Sequence, residues 1–183
     1  MQLISAAQTQ IAAGFTNKDI KRELSQHFNA LPRRLDRNAW QMLLACAPLK
    51  NKVHSQCGIY IAASYPAADT MTSLLNTVCV SQLQPKPFEF VNSVSNAAGF
   101  YVAQQLGLEG PNLFISQSDT TWSQLISLAQ ADQCPQAMLL CCDNPDDSLI
   151  QVVLLERSEQ SLAASNSFAE LTQTISVQRF TYA

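Results

Sequence analysis

The chain has 183 residues, enough for one ordinary domain that buries a core without disulfide or metal staples. Its net charge is −3 and no basic run goes beyond Lys21-Arg22 and Arg33-Arg34, so it has no electrostatic footprint for nucleic acid. Charged residues make up only 14%, against roughly 25% in typical soluble domains, which suits a surface partly covered by a partner.

The first residues, MQLISAAQTQIAAGF, lack a positively charged leading region, and the apolar runs 137–142 and 152–155 are too short to span a bilayer. A cytoplasmic protein with no membrane span is expected. Cys46, Cys57, Cys79, Cys134, Cys141 and Cys142 show no regular spacing and no CxxC, and read mainly as buried free thiols. Cys141 and Cys142, as strand neighbours, must point to opposite faces. No metal and no cofactor are expected.

Residues 1–6 predict a short first strand. Thr16 and Asn17 then offer a cap for a helix through Phe28, with Ile20, Leu24 and Phe28 on one face and His27 beside that stripe as a surface residue. Pro32 ends this region, and a second amphipathic helix follows with Leu35, Ala39, Trp40, Leu43 and Leu44 on one side. Arg33, Arg34 and Arg37 stand at its start, either as a solvated helix end or as a docking point for an acidic partner. Residues 57–64 read as a buried strand, and 67–83 as a helix whose Met71, Leu74, Leu75 and Val78 face inward. Pro85 and Pro87 mark a break.

Beyond the break, 95–106 is helical, 112–116 is a strand, and Ser118 or Asp119 caps a helix containing Trp122, Leu125, Ile126 and Ala129. Residues 137–142 form an apolar strand, Asn144-Pro145-Asp146-Asp147 a turn, and 149–156 the returning antiparallel arm. The Ser- and Ala-rich stretch 158–169 is loop or weak helix, and 172–182 closes as a strand. Strands alternating with helices predict an α/β layered domain with a mostly parallel sheet and flanking helices, in a single domain over 1–183.

The segment 87–122 carries Asn96-Ala97-Ala98, Leu106-Gly107-Leu108 and Gly110-Pro111-Asn112 in order, with Pro32-Arg33-Arg34-Leu35 upstream. This combination resembles the run that delivers the nucleophilic cysteine in β-ketoacyl synthases, and most of the chain loosely resembles the N-terminal half of that thiolase-like fold. The resemblance implies a dimer interface, with the strand 112–116 beside that of a partner subunit and the helix 95–106 near the partner's acyl tunnel. The chain departs from the pattern where chemistry is done. Asp119 stands at the vacated cysteine position, no His follows His54, and a Gly usual after Asn-Ala-Ala is replaced by Phe100. An acyl-aspartate would be an anhydride, so Asp119 reads as a helix cap that complements the dipole.

What the resemblance then implies is a chain length factor-like subunit, as in aryl polyene type II polyketide synthases. Such a subunit is non-catalytic and pairs with a full-length ketosynthase, as a heterodimer or higher assembly, whose complex is the acyltransferase. An acyl carrier protein would be met indirectly, and it is the kind of acidic partner that the three arginines would suit. The residues implied in the interface or tunnel are Phe88, Phe90, Val94, Asn96, Phe100, Tyr101, Asn112 and Phe114, although the aromatics suit core packing equally well. Two alternatives stand beside this. One is an independent acyl-thioester enzyme, an acyltransferase or thioesterase using Cys134, Cys141 or Asp119 with His54, and the other is a solitary acyl-binding regulatory module.

Overall fold

A computed structural model describes residues 1–143, 148–159 and 162–183. The predicted turn at Asn144-Pro145-Asp146-Asp147 lies outside the described residues. The elements are β1 (Gln2–Ile11), α1 (Asn17–Leu24), α2 (Arg37–Cys46), β2 (Gly58–Ala63), α3 (Ala68–Leu75), α4 (Pro87–Asn92), α5 (Ala97–Leu106), β3 (Asn112–Ser116), α6 (Thr121–Ala131), β4 (Gln136–Cys142), β5 (Ser148–Glu156), α7 (Phe168–Leu171) and β6 (Val177–Tyr182). A 3-10 segment, Ala47–Lys52, follows α2, and a π-helical turn, Asn76–Val80, extends α3.

The strands form one sheet in the order β3-β2-β4-β5-β1-β6. The β3/β2, β2/β4 and β1/β6 pairs are parallel, while β5 runs antiparallel to both β4 and β1. The parallel majority and the β4/β5 arm agree with the sequence expectation. β1 runs on to Ile11 rather than ending at Ala6, because residues 6–11 are paired on both sides, with β5 and with β6. Two-sided pairing overrides the weak strand propensity of its Ala and Gln residues.

Alternation along the strands feeds two apolar layers. Ile59, Ile61, Met138, Leu140 and Cys142 face α1, α2 and α5, while Tyr60, Ala62, Leu139 and Cys141 face α6 and α7. The adjacent cysteines thus divide between the two faces as expected. Capping fixes where the first helices begin. Thr16 Oγ1 accepts from Asp19 N at 3.3 Å and Thr16 N–H donates to the Asp19 carboxylate at 3.1 Å, a reciprocal capping box. Asp36 caps α2 by accepting from Asn38 N, and its second oxygen accepts from Thr70 N at 2.9 Å, which anchors the start of α3 to α2.

One expectation is overturned here. Of the stripe assigned to the core, Met71, Leu75 and Val78 are exposed and Leu74 is half-buried, and α3 buries no residue, so the stripe lies largely on the surface. The periodicity is real, but α3 packs chiefly on the π turn and α4 rather than on the sheet.

Candidate functional site

Among the described residues, all large apolar side chains that remain exposed, apart from Ile4, fall between Tyr65 and Leu113. Only Asp69, Lys86, Glu89 and Glu109 are charged in that span. Large exposed apolar side chains gathered in one charge-poor stretch of chain mark candidate contact surfaces.

Its centre is built by α4, α5 and β3. Ala98, Tyr101 and Val102 of α5 are buried against the core, and the helix sits directly over β2 and β3. Gly99 makes this approach possible. A Cβ there would clash with the Asn112 side-chain amide oxygen and come within 2.9 Å of Ile61 Cδ1. This corrects the expectation that Phe100 replaces the glycine after Asn-Ala-Ala: Gly99 itself follows Asn96-Ala97-Ala98 and takes the close-packed position, so Phe100 is free to point outward, 53% exposed. Its ring lies edge-on to Tyr101 with centroids 5.3 Å apart.

The Gly110-Pro111-Asn112 turn then starts β3. A Cβ on Gly110 would lie 2.5 Å from Cys57 O, and Pro111 O accepts from Ile59 N at 2.7 Å, so the turn is locked against the start of β2. β3 is an edge strand, paired only with β2, with Leu113 partly exposed and Phe114 packed against the core. An open edge is a template for pairing with another chain.

Helix α4 completes the surface and was not anticipated; only the break before it was. Pro87 stands at its first turn, where a missing N–H costs nothing, and Glu89 accepts from Lys86 N at 3.0 Å. Asn92, buried at the end of α4, donates to Arg34 O at 2.6 Å and accepts from Tyr101 Oη at 2.8 Å. This one side chain ties α4 to the loop before α2 and to α5. Phe88, Phe90 and Val91 face outward, and Arg34, at φ 60°, lies over the Phe88 ring at 6.0 Å.

The structure therefore places the predicted residues in three settings. Phe88, Phe90, Val94 and Phe100 are exposed side by side on consecutive elements; Asn96 precedes α5; Tyr101, Asn112 and Phe114 lie wholly or partly inside. Val91, Val94, Asn96, Ala97, Phe100 and Tyr101 together line an open apolar pocket of about 220 Å³. Val91 was missed by sequence reasoning, and α4 was the signal that would have found it. A separate polar cleft of about 560 Å³ contains Arg34 and Arg37 together with Asp36, Asp69, Lys86 and Glu89, so its charges balance. Arg37 is held there by Phe15 O at 2.9 Å and Asn17 Oδ1 at 3.3 Å, and Arg33 is exposed.

The position that the resemblance assigns to the missing cysteine is different in kind. Asp119 is exposed in the β3–α6 connection, and Thr120 rather than Ser118 or Asp119 is the residue preceding α6. The expected cap does not form. Thr121 Oγ1 instead donates to Ser118 O and accepts from Ser118 N, both at 2.7 Å, closing a turn at Ser118 just before the helix. Nearby, Gln117 bridges Ser64, at 2.9 Å, to Asp143, and also reaches Cys141 Sγ at 3.4 Å.

Burial pushes the Cys141 thiol up to about 12, with the Asp143 charge adding to the effect. Burial likewise raises Cys142 and Cys57 to about 12, and Cys46 upward still. Thiols held protonated in this way are poor nucleophiles. His54 lies just before β2, whereas Asp119 follows β3, so the parallel β2/β3 pair separates them by the length of a five-residue strand, roughly 15 Å. That distance precludes their acting together. No group of three or more His, Cys, Asp or Glu among the described residues is placed to hold a metal ion, and no helix among them is long and apolar enough to cross a membrane.

No protein-family model matches the sequence, and no curated protein matches it. Solved structures do. The chain is similar to one in "Ketosynthase (ApeO) in Complex with its Chain Length Factor (ApeC)" from Xenorhabdus doucetiae, with a TM-score of 0.62 and 12% identity over 86% of this chain and 79% of that one. It is also similar to "The ishigamide ketosynthase/chain length factor", with a TM-score of 0.63 and 13% identity over 81% of this chain and 49% of that one. It thus spans about half the length of the second. At these identities the likeness is one of fold: the chain has the layered α/β fold of those chains, a six-stranded mixed sheet flanked by helices.

Proposed function

We propose that this chain is a non-catalytic, chain length factor-like subunit that pairs with a full-length ketosynthase and shapes its acyl tunnel, in polyketide synthesis of the aryl polyene kind. The observation that carries this reading is the apolar face of α4 and α5 beside the open edge of β3. It presents Phe88, Phe90, Val91, Val94 and Phe100 to solvent in a fold shared with chains from ketosynthase/chain length factor structures. Exposed Asp119 and protonated buried thiols favour this over an independent acyl-thioester enzyme. On this reading the open pocket beside Phe100 and Tyr101 is closed by the ketosynthase, and Phe100 borders the growing acyl chain. Contact with acyl carrier protein is left to the ketosynthase.

The test is co-expression with ketosynthases of the same genome, followed by Phe100→Ala. A stable complex whose product length shifts with Phe100→Ala supports tunnel shaping. A complex with unchanged product length contradicts it for this residue, and turnover of acyl thioesters by the purified chain alone contradicts the non-catalytic role.

A further inference from the structure

The α4/α5 face is small for a stable heterodimer, since a standard interface draws on roughly 20–30 residues a side. The limb formed by α3 and the π turn is apolar, exposed and built at a conformational cost. Val80 and Leu83 are 75% and 64% exposed, as open as Phe90. They are held there by a π-helical turn closed by Ser81 N–H donating to Asn76 O at 2.9 Å, by a longer-range bond from Leu83 N–H to Thr77 O at 3.0 Å just beyond it, and by Gln82 in the left-handed region at φ 51°. Isolated π turns and left-handed non-glycine residues concentrate at functional sites.

The limb is anchored as well as exposed. Asp36 accepts from Thr70 N at 2.9 Å, and Asn38 Nδ2 donates to Tyr65 O at 3.2 Å, so α2 fixes the base from which α3 projects. We infer that Met71, Leu75, Val78, Val80 and Leu83 form a second arm of the partner-binding surface and grip the same ketosynthase as α4 and α5. This rests on the function proposed above. The occupant follows from continuity: α3 packs on α4, α4 on α5, and the band between them carries few charges to interrupt an apolar contact.

The test compares Val80→Glu/Leu83→Glu, Leu75→Glu, Phe90→Glu and the control Ser127→Glu, each co-expressed as a full chain with the ketosynthases of its genome. Complex affinity is measured by titration, and folding by circular dichroism. All five positions are exposed, so each variant should keep the wild-type spectrum and melting temperature. The expected result is a loss of roughly tenfold or more in affinity for the double variant and for Leu75→Glu, with Ser127→Glu unchanged. Wild-type affinity in both limb variants alongside loss in Phe90→Glu would overturn the second arm while leaving the proposed function standing. No complex even with the wild-type chain would contradict that function itself. Self-association of the wild-type chain, abolished by the limb substitutions, would then assign the arm to a second copy and overturn the ketosynthase as its occupant.

Discussion

Helices α5 and α6 flank opposite faces of the same sheet, and their outer surfaces have opposite chemistry. The outer side of α6 carries Thr120, Ser123, Gln124 and Ser127, each satisfied by its own helix: Ser123 Oγ donates to Thr120 O at 2.9 Å, Ser127 Oγ to Ser123 O at 2.8 Å, and Gln124 Nε2 to Thr120 Oγ1 at 3.0 Å. Such a face needs only water. The side of α5 continues into α4 and shows Phe88, Phe90, Val91, Val94 and Phe100, whose exposure to water is unfavourable by roughly 25 cal/mol for each Å² left open. The contrast separates a finished surface from one that gains free energy when covered.

Substitutions should break this contrast in a graded way. Phe90→Glu with Phe100→Glu is expected to weaken a ketosynthase complex by about 3 kcal/mol or more, read by titration calorimetry, because a charge is driven into the apolar centre of the contact. Gly110→Ala should destabilise the fold by about 2–3 kcal/mol in urea unfolding, since its new Cβ meets the rigid Cys57 carbonyl 2.5 Å away. Asn92→Ala is expected to cost about 1–3 kcal/mol by leaving Arg34 O and Tyr101 Oη without their partner, and should also loosen α4 enough to weaken the complex.

Buried thiols in both layers beneath these faces make stability depend on pH. Cys57 and Cys142 in one layer and Cys141 in the other ionise near 9.0 when unfolded and only near 12 in the fold. The unfolded chain therefore loses protons first. Stability is complete below pH 9 and falls between pH 9 and 12, by about 1 kcal/mol per thiol for each unit, as urea midpoints at pH 8 and 10 should reveal. Ser127→Glu on α6 is the smallest change, expected within about 0.5 kcal/mol for both stability and binding.

The buried stripes were legible in the sequence because periodicity reports burial when a sheet lies opposite. Ile20, Leu24 and Phe28 are all buried, and Asn112–Ser116 is a strand with the expected bounds. In α3 the same periodic signal misled, because an apolar stripe says that a helix has something to cover without saying that its own chain supplies the cover. Pro87 read as a break because proline ends helices, yet at the first turn it starts one. The cap expected at 118–119 fails for another reason: four adjacent polar residues compete there, and the Thr121 hydroxyl closes a turn on Ser118 instead, with Thr120 left as the residue before α6. The open β3 edge became visible only with the sheet order.

The most direct measurement of the central claim is size-exclusion chromatography with light scattering on the chain co-expressed with full-length ketosynthases of its genome. The account predicts a stable complex that Phe90→Glu disrupts and Ser127→Glu leaves intact. A chain that stays monomeric and soluble at all concentrations, binding no ketosynthase, would contradict it.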